Sequence, residues 1–250
     1  MPETTTEDHR DARRPVLWVT GGGSGMGRAC ALSAVARGWR VAVSGRRADR
    51  VQAVALEAEA AGGEVLALPA DVRSNDDVTE CASAIERRWG RLDGLLLAAG
   101  LNAPRRSWTD QDLSELEDIV ETNLVAVARV VHRALPMLRT RAGTIVVVSS
   151  YAGWRFSPGA GVAYSASKTA LASLCQSLNA QEAGSGVRAC HLCPGDVDTD
   201  FLAQRPEVPD ADARSVMLTA DDVARAVQFV LDSPAHVRVD ELVISPVSQH

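Results

Sequence analysis

Val16-Leu17-Trp18-Val19-Thr20-Gly21-Gly22-Gly23-Ser24-Gly25-Met26-Gly27 sets an apolar run directly before a glycine cluster, and small residues at helical spacing continue to about Arg37. The run reads as a buried strand. Glycines allow a tight turn and close approach of backbone to a pyrophosphate, and the helix that follows offers free N–H groups and the positive end of its dipole. Between a strand and a helix, the cluster Thr20–Gly27 predicts a dinucleotide-binding turn; standing alone, it would say only loop.

Outward from this turn, short β-branched and leucine-rich runs alternate with longer helical patterns, the signature of βαβ units and a parallel sheet buried on both faces. Strands are expected at Val16–Thr20, Arg40–Ser44, Glu64–Leu68, Leu92–Ala98, Thr144–Ser149, Val187–Leu192 and Val239–Ile244. The spacing predicts helices over Ala48–Ala61, from a Ser74/Asp77 capping box to Trp89, from Leu113 to Arg139 without a break, over Ala163–Glu182, and from a Thr219/Asp222 cap to Asp232. The fold class expected is α/β: one doubly wound domain over residues 15–250, a seven-stranded parallel sheet with helices on both faces. Residues 1–14 are polar and charged and read as a disordered lead-in. The stretch 196–217, rich in Pro, Asp and Ala, is too long for a simple connector and is expected to act as a lid over the substrate.

The chain of 250 residues, 46% hydrophobic, is long enough for one sizeable α/β core. It shows no apolar run of membrane-spanning length and no secretory signal, so a cytoplasmic protein is expected. A net charge of -6, with arginines scattered among acids, argues against nucleic acid or a membrane as partner. Five cysteines give no disulfide framework. Cys190 and Cys193 form a C-x-x-C, but on a strand residues three apart point to opposite faces. No second pair stands at zinc spacing, so packing cysteines and no metal are expected.

Lysine occurs once, at Lys168, although the chain has 26 Lys plus Arg. A position that keeps lysine where all other basic side chains are arginine points to a need for a compact ammonium. Tyr164 lies four residues earlier, on the same face of a helix. A phenol titrates near pH 10, and a neighbouring cation lowers that value toward useful acid/base range. The second strand ends Ser44-Gly45-Arg46-Arg47. An acid there would bind the ribose hydroxyls of NAD; two arginines instead suit a 2′-phosphate, so NADP(H) is favoured over NAD(H). Asp71, after the third strand, is placed to meet an adenine edge or to cap the next segment.

Together these residues resemble the short-chain dehydrogenase/reductase family, in its branch of roughly 250 residues marked by TGxxxGxG, and the likeness extends from about Val16 to Pro246. Thr20, Gly21, Gly25 and Gly27 fill that motif, and Asn123, Ser150, Tyr164 and Lys168 stand in the order of the family's four active groups. The resemblance implies a Rossmann-type fold, with Thr20, Gly21, Gly23, Ser24, Gly25, Met26, Gly27, Arg46, Arg47, Asp71, Val72, Ala99, Gly100, Tyr164, Lys168, Pro194, Gly195, Val197 and Thr199 holding the cofactor. It selects Ser150 over Ser149, because the family's active hydroxyl lies three residues before a glycine, here Gly153. Leu97-Ala98-Ala99-Gly100 departs from the family's NNAG, removing two side chains that would hydrogen-bond the central sheet.

The activity so implied is hydride transfer between nicotinamide and a carbonyl or secondary alcohol. Tyr164 would move the proton, Ser150 would hold the substrate oxygen, Lys168 would lower the tyrosine pKa, and Asn123 would link Lys168 to solvent through a water. Ser150, Tyr151, Trp154 and Tyr164 are the expected contacts to a small, largely apolar substrate, in a largely apolar site with Arg155 as one possible anion hook. A homodimer or homotetramer is implied by the same likeness. An NAD(H)-preferring enzyme and a non-catalytic dinucleotide sensor remain open; a serine hydrolase does not, since no G-x-S-x-G follows a strand.

Overall fold

In a computed structural model describing residues 14–249, all seven expected strands form: β1 Val16–Thr20, β2 Arg40–Gly45, β3 Glu64–Pro69, β4 Gly94–Leu97, β5 Thr144–Val148, β6 Arg188–Pro194 and β7 Glu241–Ile244. The expected lead-in, Arg14 apart, lies outside the described residues. The strands form one sheet in the order β3-β2-β1-β4-β5-β6-β7, every neighbouring pair parallel. The order reverses between β1 and β4, and at such a switch point loops at the carboxyl ends diverge and leave a crevice.

Alternate strand residues feed two cores, as a sheet covered on both sides requires. Val19, Val43, Leu96, Val148 and Leu192 pack with residues of α1 (Gly25–Ala36) and α2 (Ala48–Ala60). Trp18, Leu95, Leu97, Ile145 and Val147 pack on the other face with residues of α3 (Asn75–Trp89). Trp18 is 1% exposed, and its indole N–H donates to Ser44 Oγ at 3.0 Å, so the one polar atom of this large side chain is satisfied inside the sheet.

The long helix departs from expectation. It runs as α4 (Leu113–Val120) and α5 (Ala126–Arg139), joined by a π-helical turn at Glu121–Val125. The wider turn carries Asn123, wholly buried, whose side chain accepts from Leu101 N at 2.8 Å and donates to Leu101 O at 2.9 Å. Bonding a loop backbone in both directions favours the local widening over a regular helix. The Ser74/Asp77 capping box is only half made. Ser74 accepts from Asp77 N, but the Asp77 carboxylate turns to Asp71 N at 2.8 Å. At Thr219 and Asp222 both halves are present, opening α9 (Ala220–Leu231) after the short helices α6 (Tyr151–Trp154) and α8 (Ala211–Ser215) and the long α7 (Val162–Gln181).

Candidate active site

The loops at the carboxyl ends of the strands surround a cavity of about 1060 Å³. Gly21 has φ 65°, and a Cβ on it would stand 2.6 Å from Ala99 N, so only glycine lets the turn after β1 lie against the chain after β4. Gly23, Ser24, Gly25, Met26 and Gly27 line the same wall, and Thr199 faces Gly25 across it. Val72, Ala99, Gly100, Pro194, Gly195 and Val197 also line it. Thr20 does not: it is 1% exposed, within β1 and behind the wall.

At one end the exposed Arg46 and Arg47 follow β2, and Arg47 donates to Ser24 Oγ at 2.9 Å. The Asp71 carboxylate is gripped by Arg73, with N···O distances of 2.8 and 3.1 Å to one oxygen. That bond holds the Asp71 pKa below the usual carboxylate value against the opposing effect of desolvation. Asp71 therefore lines the cavity with its acceptors already engaged, and it also accepts from Arg73 N at 3.0 Å, the capping role expected as the alternative.

At the other end stand Ser150, Tyr164 and Lys168. Lys168 is 4% exposed, donates to Val148 O at 2.8 Å, and lies 5.7 Å from the centroid of the Tyr164 ring. Burial pushes its pKa down to about 8. Burial likewise pushes the Tyr164 phenol up, opposed by a hydrogen bond with Ser150 and by the charges of Arg106 and Arg205. The net direction is therefore opposite to the lowering expected from Lys168, and the charges that oppose burial are those of two arginines outside the residues expected from the sequence. Asn123 and Lys168 flank Gly100, whose Cβ position would lie 3.7 Å from Asn123 Oδ1 and 3.8 Å from Lys168 Nζ.

The two serines divide. Ser149 is 3% exposed and donates to Lys168 O at 3.0 Å. Ser150 caps α6, accepting from Ala152 N at 3.2 Å, and its hydroxyl is the one that meets Tyr164. Gly153 explains the tight spacing: a Cβ there would stand 2.3 Å from Ser149 Oγ and 2.8 Å from Lys168 O.

Tyr151 lines the cavity, whereas Trp154 lies outside its lining, edge-on to Tyr151 and beneath the Arg155 guanidinium at 4.1 Å. Arg155 is likewise outside the lining. The wall near Tyr164 is also less apolar than expected, carrying Asn102, Arg106, Gln204 and Arg205 beside Phe201. The signal for Asn102 and Arg106 was available in the rule that loops after strand ends build sites. For Gln204 and Arg205 it was the expected lid, whose ends are tied by Asp198 N to Leu218 O at 2.8 Å and Leu218 N to Asp196 O at 2.9 Å.

Cys190 packs in one core while Cys193 faces the other way, against His191 Nδ1 at 3.4 Å, so the C-x-x-C diverges. Topology nevertheless gathers what sequence spacing did not. His191, Cys193 and, from β7, Glu241 bring potential ligand atoms within 4.8 Å of one another. His191 and Glu241 are hydrogen-bonded at 3.1 Å, and burial pushes the Cys193 thiol up to about 12. No helix among the described residues is long and apolar enough to cross a membrane.

The short chain dehydrogenase family profile matches residues 15–209. A sulfoacetaldehyde reductase of Chromohalobacter salexigens is 33% identical over 242 residues, 93% of this chain and 94% of its own. An alcohol dehydrogenase of the archaeon Thermococcus sibiricus, solved with 5-hydroxy-NADP, superposes with a TM-score of 0.86 at 29% identity, covering 95% of this chain and 99% of that one. A serine dehydrogenase solved with NADP+ in its closed form gives 0.86 at 28%, covering 94% and 96%. With the glycine turn and the Ser, Tyr and Lys side chains gathered on one cavity, this chain belongs to the short-chain dehydrogenase family of oxidoreductases.

Proposed function

We propose that this protein is an NADP(H)-dependent oxidoreductase that moves a hydride between the nicotinamide and the carbonyl or secondary alcohol of a small substrate. One observation carries the reading: a single cavity joins Ser150, Tyr164 and Lys168 at one end to Arg46 and Arg47 at the other, with no acid at the end of β2. The cleft fits a dinucleotide, since glycines of the turn after β1 line it, Gly21 is held in a conformation that packs the turn against Ala99, and the N-terminus of α1 opens at the same turn. Similarity to structures solved with NADP+ and with 5-hydroxy-NADP supports the phosphorylated cofactor, and similarity to a protein named for an aldehyde supports carbonyl reduction.

Bound there, the cofactor supplies the hydride. Ser150 donates to the substrate oxygen and holds it beside Tyr164, which gives its phenolic proton to that oxygen as negative charge develops. Lys168, fixed to Val148 O, stabilises the phenolate left behind, and Asn123 positions the route by which the proton is replaced. The 196–217 segment closes over the substrate and excludes water. A cytoplasmic location and a homodimer or homotetramer belong to the same proposal, the latter read by sedimentation.

The test is consumption of NADPH and NADH, in turn, with a panel of aldehydes and ketones. NADPH turnover that Tyr164→Phe abolishes while nucleotide binding persists supports the reading. Nucleotide binding with no turnover of any carbonyl would favour the sensor instead.

A further inference from the structure

Arg106, on the loop after β4, presents the cavity with a charge that no carboxylate neutralises. Its guanidinium donates to three backbone carbonyls, Ala103 O at 2.7 Å, Gly159 O at 3.0 Å and Gln204 O at 2.7 Å. A guanidinium has five N–H groups, so these neutral acceptors leave two free. It is partly buried and lines the same cavity as Tyr164 and Ser150. Among the described residues no acid pairs with it. Of the acids near the lid, Asp196 already pairs with Arg205, and Asp200 and Glu207 are exposed.

The placement is also rigid. The three carbonyls belong to three segments: the loop after β4, the turn before α7, and the expected lid. Gly161, at φ 96°, makes room for the arginine stem, since a Cβ there would stand 2.8 Å from Arg106 Cβ. Tyr164 registers the positive charge of both Arg106 and Arg205. Tying loops together needs donors but not a charge. A partly desolvated cation held without a counter-ion on the same cavity as Ser150 and Tyr164 carries a cost that a bound anion would offset.

We propose that the natural substrate carries a carboxylate or sulfonate as well as its carbonyl, and that Arg106 binds this anion while Ser150 and Tyr164 engage the carbonyl oxygen. This rests on the carbonyl-reductase reading above. It makes Arg106 a specificity-determining residue and the lid a structure completed by the substrate, because Arg106 also holds Gln204 O. Either anion is planar or trigonal in its oxygens and accepts paired N–H donors from a guanidinium.

The test uses the full chain with NADPH and matched pairs differing in charge: sulfoacetaldehyde against propanal, and acetoacetate against its methyl ester. In the wild type, kcat/KM for the charged member exceeds that of the neutral one by about tenfold or more, the range for charge-assisted hydrogen bonds. Arg106→Gln lowers kcat/KM for the charged member, mainly through KM, by at least about tenfold more than for the neutral member. Arg106→Lys, which keeps the charge, restores part of the preference.

Equal use of both members by the wild type, or equal losses on both members in the two variants, would overturn the anion site and leave carbonyl reduction standing. Should no carbonyl of either kind be turned over, the reductase reading fails and calorimetry decides the anion site. Isethionate or 3-hydroxybutyrate binding to the wild-type NADP+ complex and not to Arg106→Gln supports it; absence of binding to the wild type overturns it.

Discussion

The Ser149 hydroxyl donates to the carbonyl oxygen of Lys168 at 3.0 Å, tying the end of β5 to the middle of α7, while Ser150 turns to Tyr164. Adjacent serines thus have separable tasks. Ser149→Ala is expected to cost about 1 kcal/mol of stability, the worth of one buried hydrogen bond, with turnover reduced only a few-fold. Ser150→Ala, which removes the cap of α6, is expected to cost a similar amount of stability but to lower kcat by about 10²-fold or more. Thermal melts and steady-state kinetics on both variants distinguish the roles. A stable, inactive Ser149→Ala would reverse the assignment.

Lys168 predicts a pH dependence of stability. Its pKa falls from 10.5 to about 8 on folding because burial penalises the ammonium. Between these values the unfolded chain binds more protons than the folded one at this site, so its contribution to stability rises with pH, at most about 1.4 kcal/mol per unit. Below pH 8 both states are protonated and the full burial penalty applies. The Tyr164 phenol, pushed up by burial, acts in the opposite direction above pH 10, as do the buried cysteines above 9. Wild type minus Lys168→Met isolates the lysine: the stability difference, from denaturant titrations at pH 7.5, 8.5 and 9.5, is expected to shift in favour of the wild type as pH rises. A flat difference would mean the ammonium is not desolvated.

The sheet was legible because buried parallel strands read as short apolar runs, and the four candidate active side chains because they stand in recognisable motif order. What escaped was set by tertiary contacts without local periodicity. The π-helical turn at Asn123 follows from a two-way bond to Leu101, 22 residues away. Arg106 acquires its place from carbonyls 53 and 98 residues distant. Trp154 looked like a pocket residue from its nearness to Ser150 in sequence, but α6 carries it out of the cavity and onto Arg155. The Leu97-Ala98 pair, read as a loss of hydrogen bonds, is used for packing: Leu97 is 2% exposed in one core and Ala98 lies against the other.

Cofactor choice is expected to follow Arg46 and Arg47. Both are exposed, and Arg47 is oriented by its bond to Ser24 Oγ on the glycine turn. Removing a guanidinium that meets a phosphate forfeits a charge-assisted pair worth roughly 1.5–3 kcal/mol. Arg46→Ala and Arg47→Ala should each weaken NADPH binding about 10- to 100-fold and NADH binding far less, by fluorescence titration. The wild-type preference should shrink as ionic strength rises. Equal losses for both nucleotides would instead indicate damage to the turn.

Gly153 packs between the end of β5 and α7, which carry the proposed catalytic Ser150 and Lys168, and its replacement has an expected signature in double-mutant form. A Cβ at residue 153 meets Ser149 Oγ at 2.3 Å and the Lys168 carbonyl at 2.8 Å, so β5 and α7 cannot keep their spacing around an alanine. Gly153→Ala should cost roughly 1–3 kcal/mol, the usual range for overpacking. Because the displaced atoms carry Ser150 and Lys168, kcat should fall more than nucleotide affinity. Adding Ser149→Ala removes one of the two clashing atoms but not the backbone carbonyl. The double variant should therefore be less destabilised than the sum of the singles, by 0.5 kcal/mol or more for residues in contact. Additive losses would mean that the Ser149 side chain does not press on Gly153, and the close packing that separates the roles of the two serines would have to be abandoned.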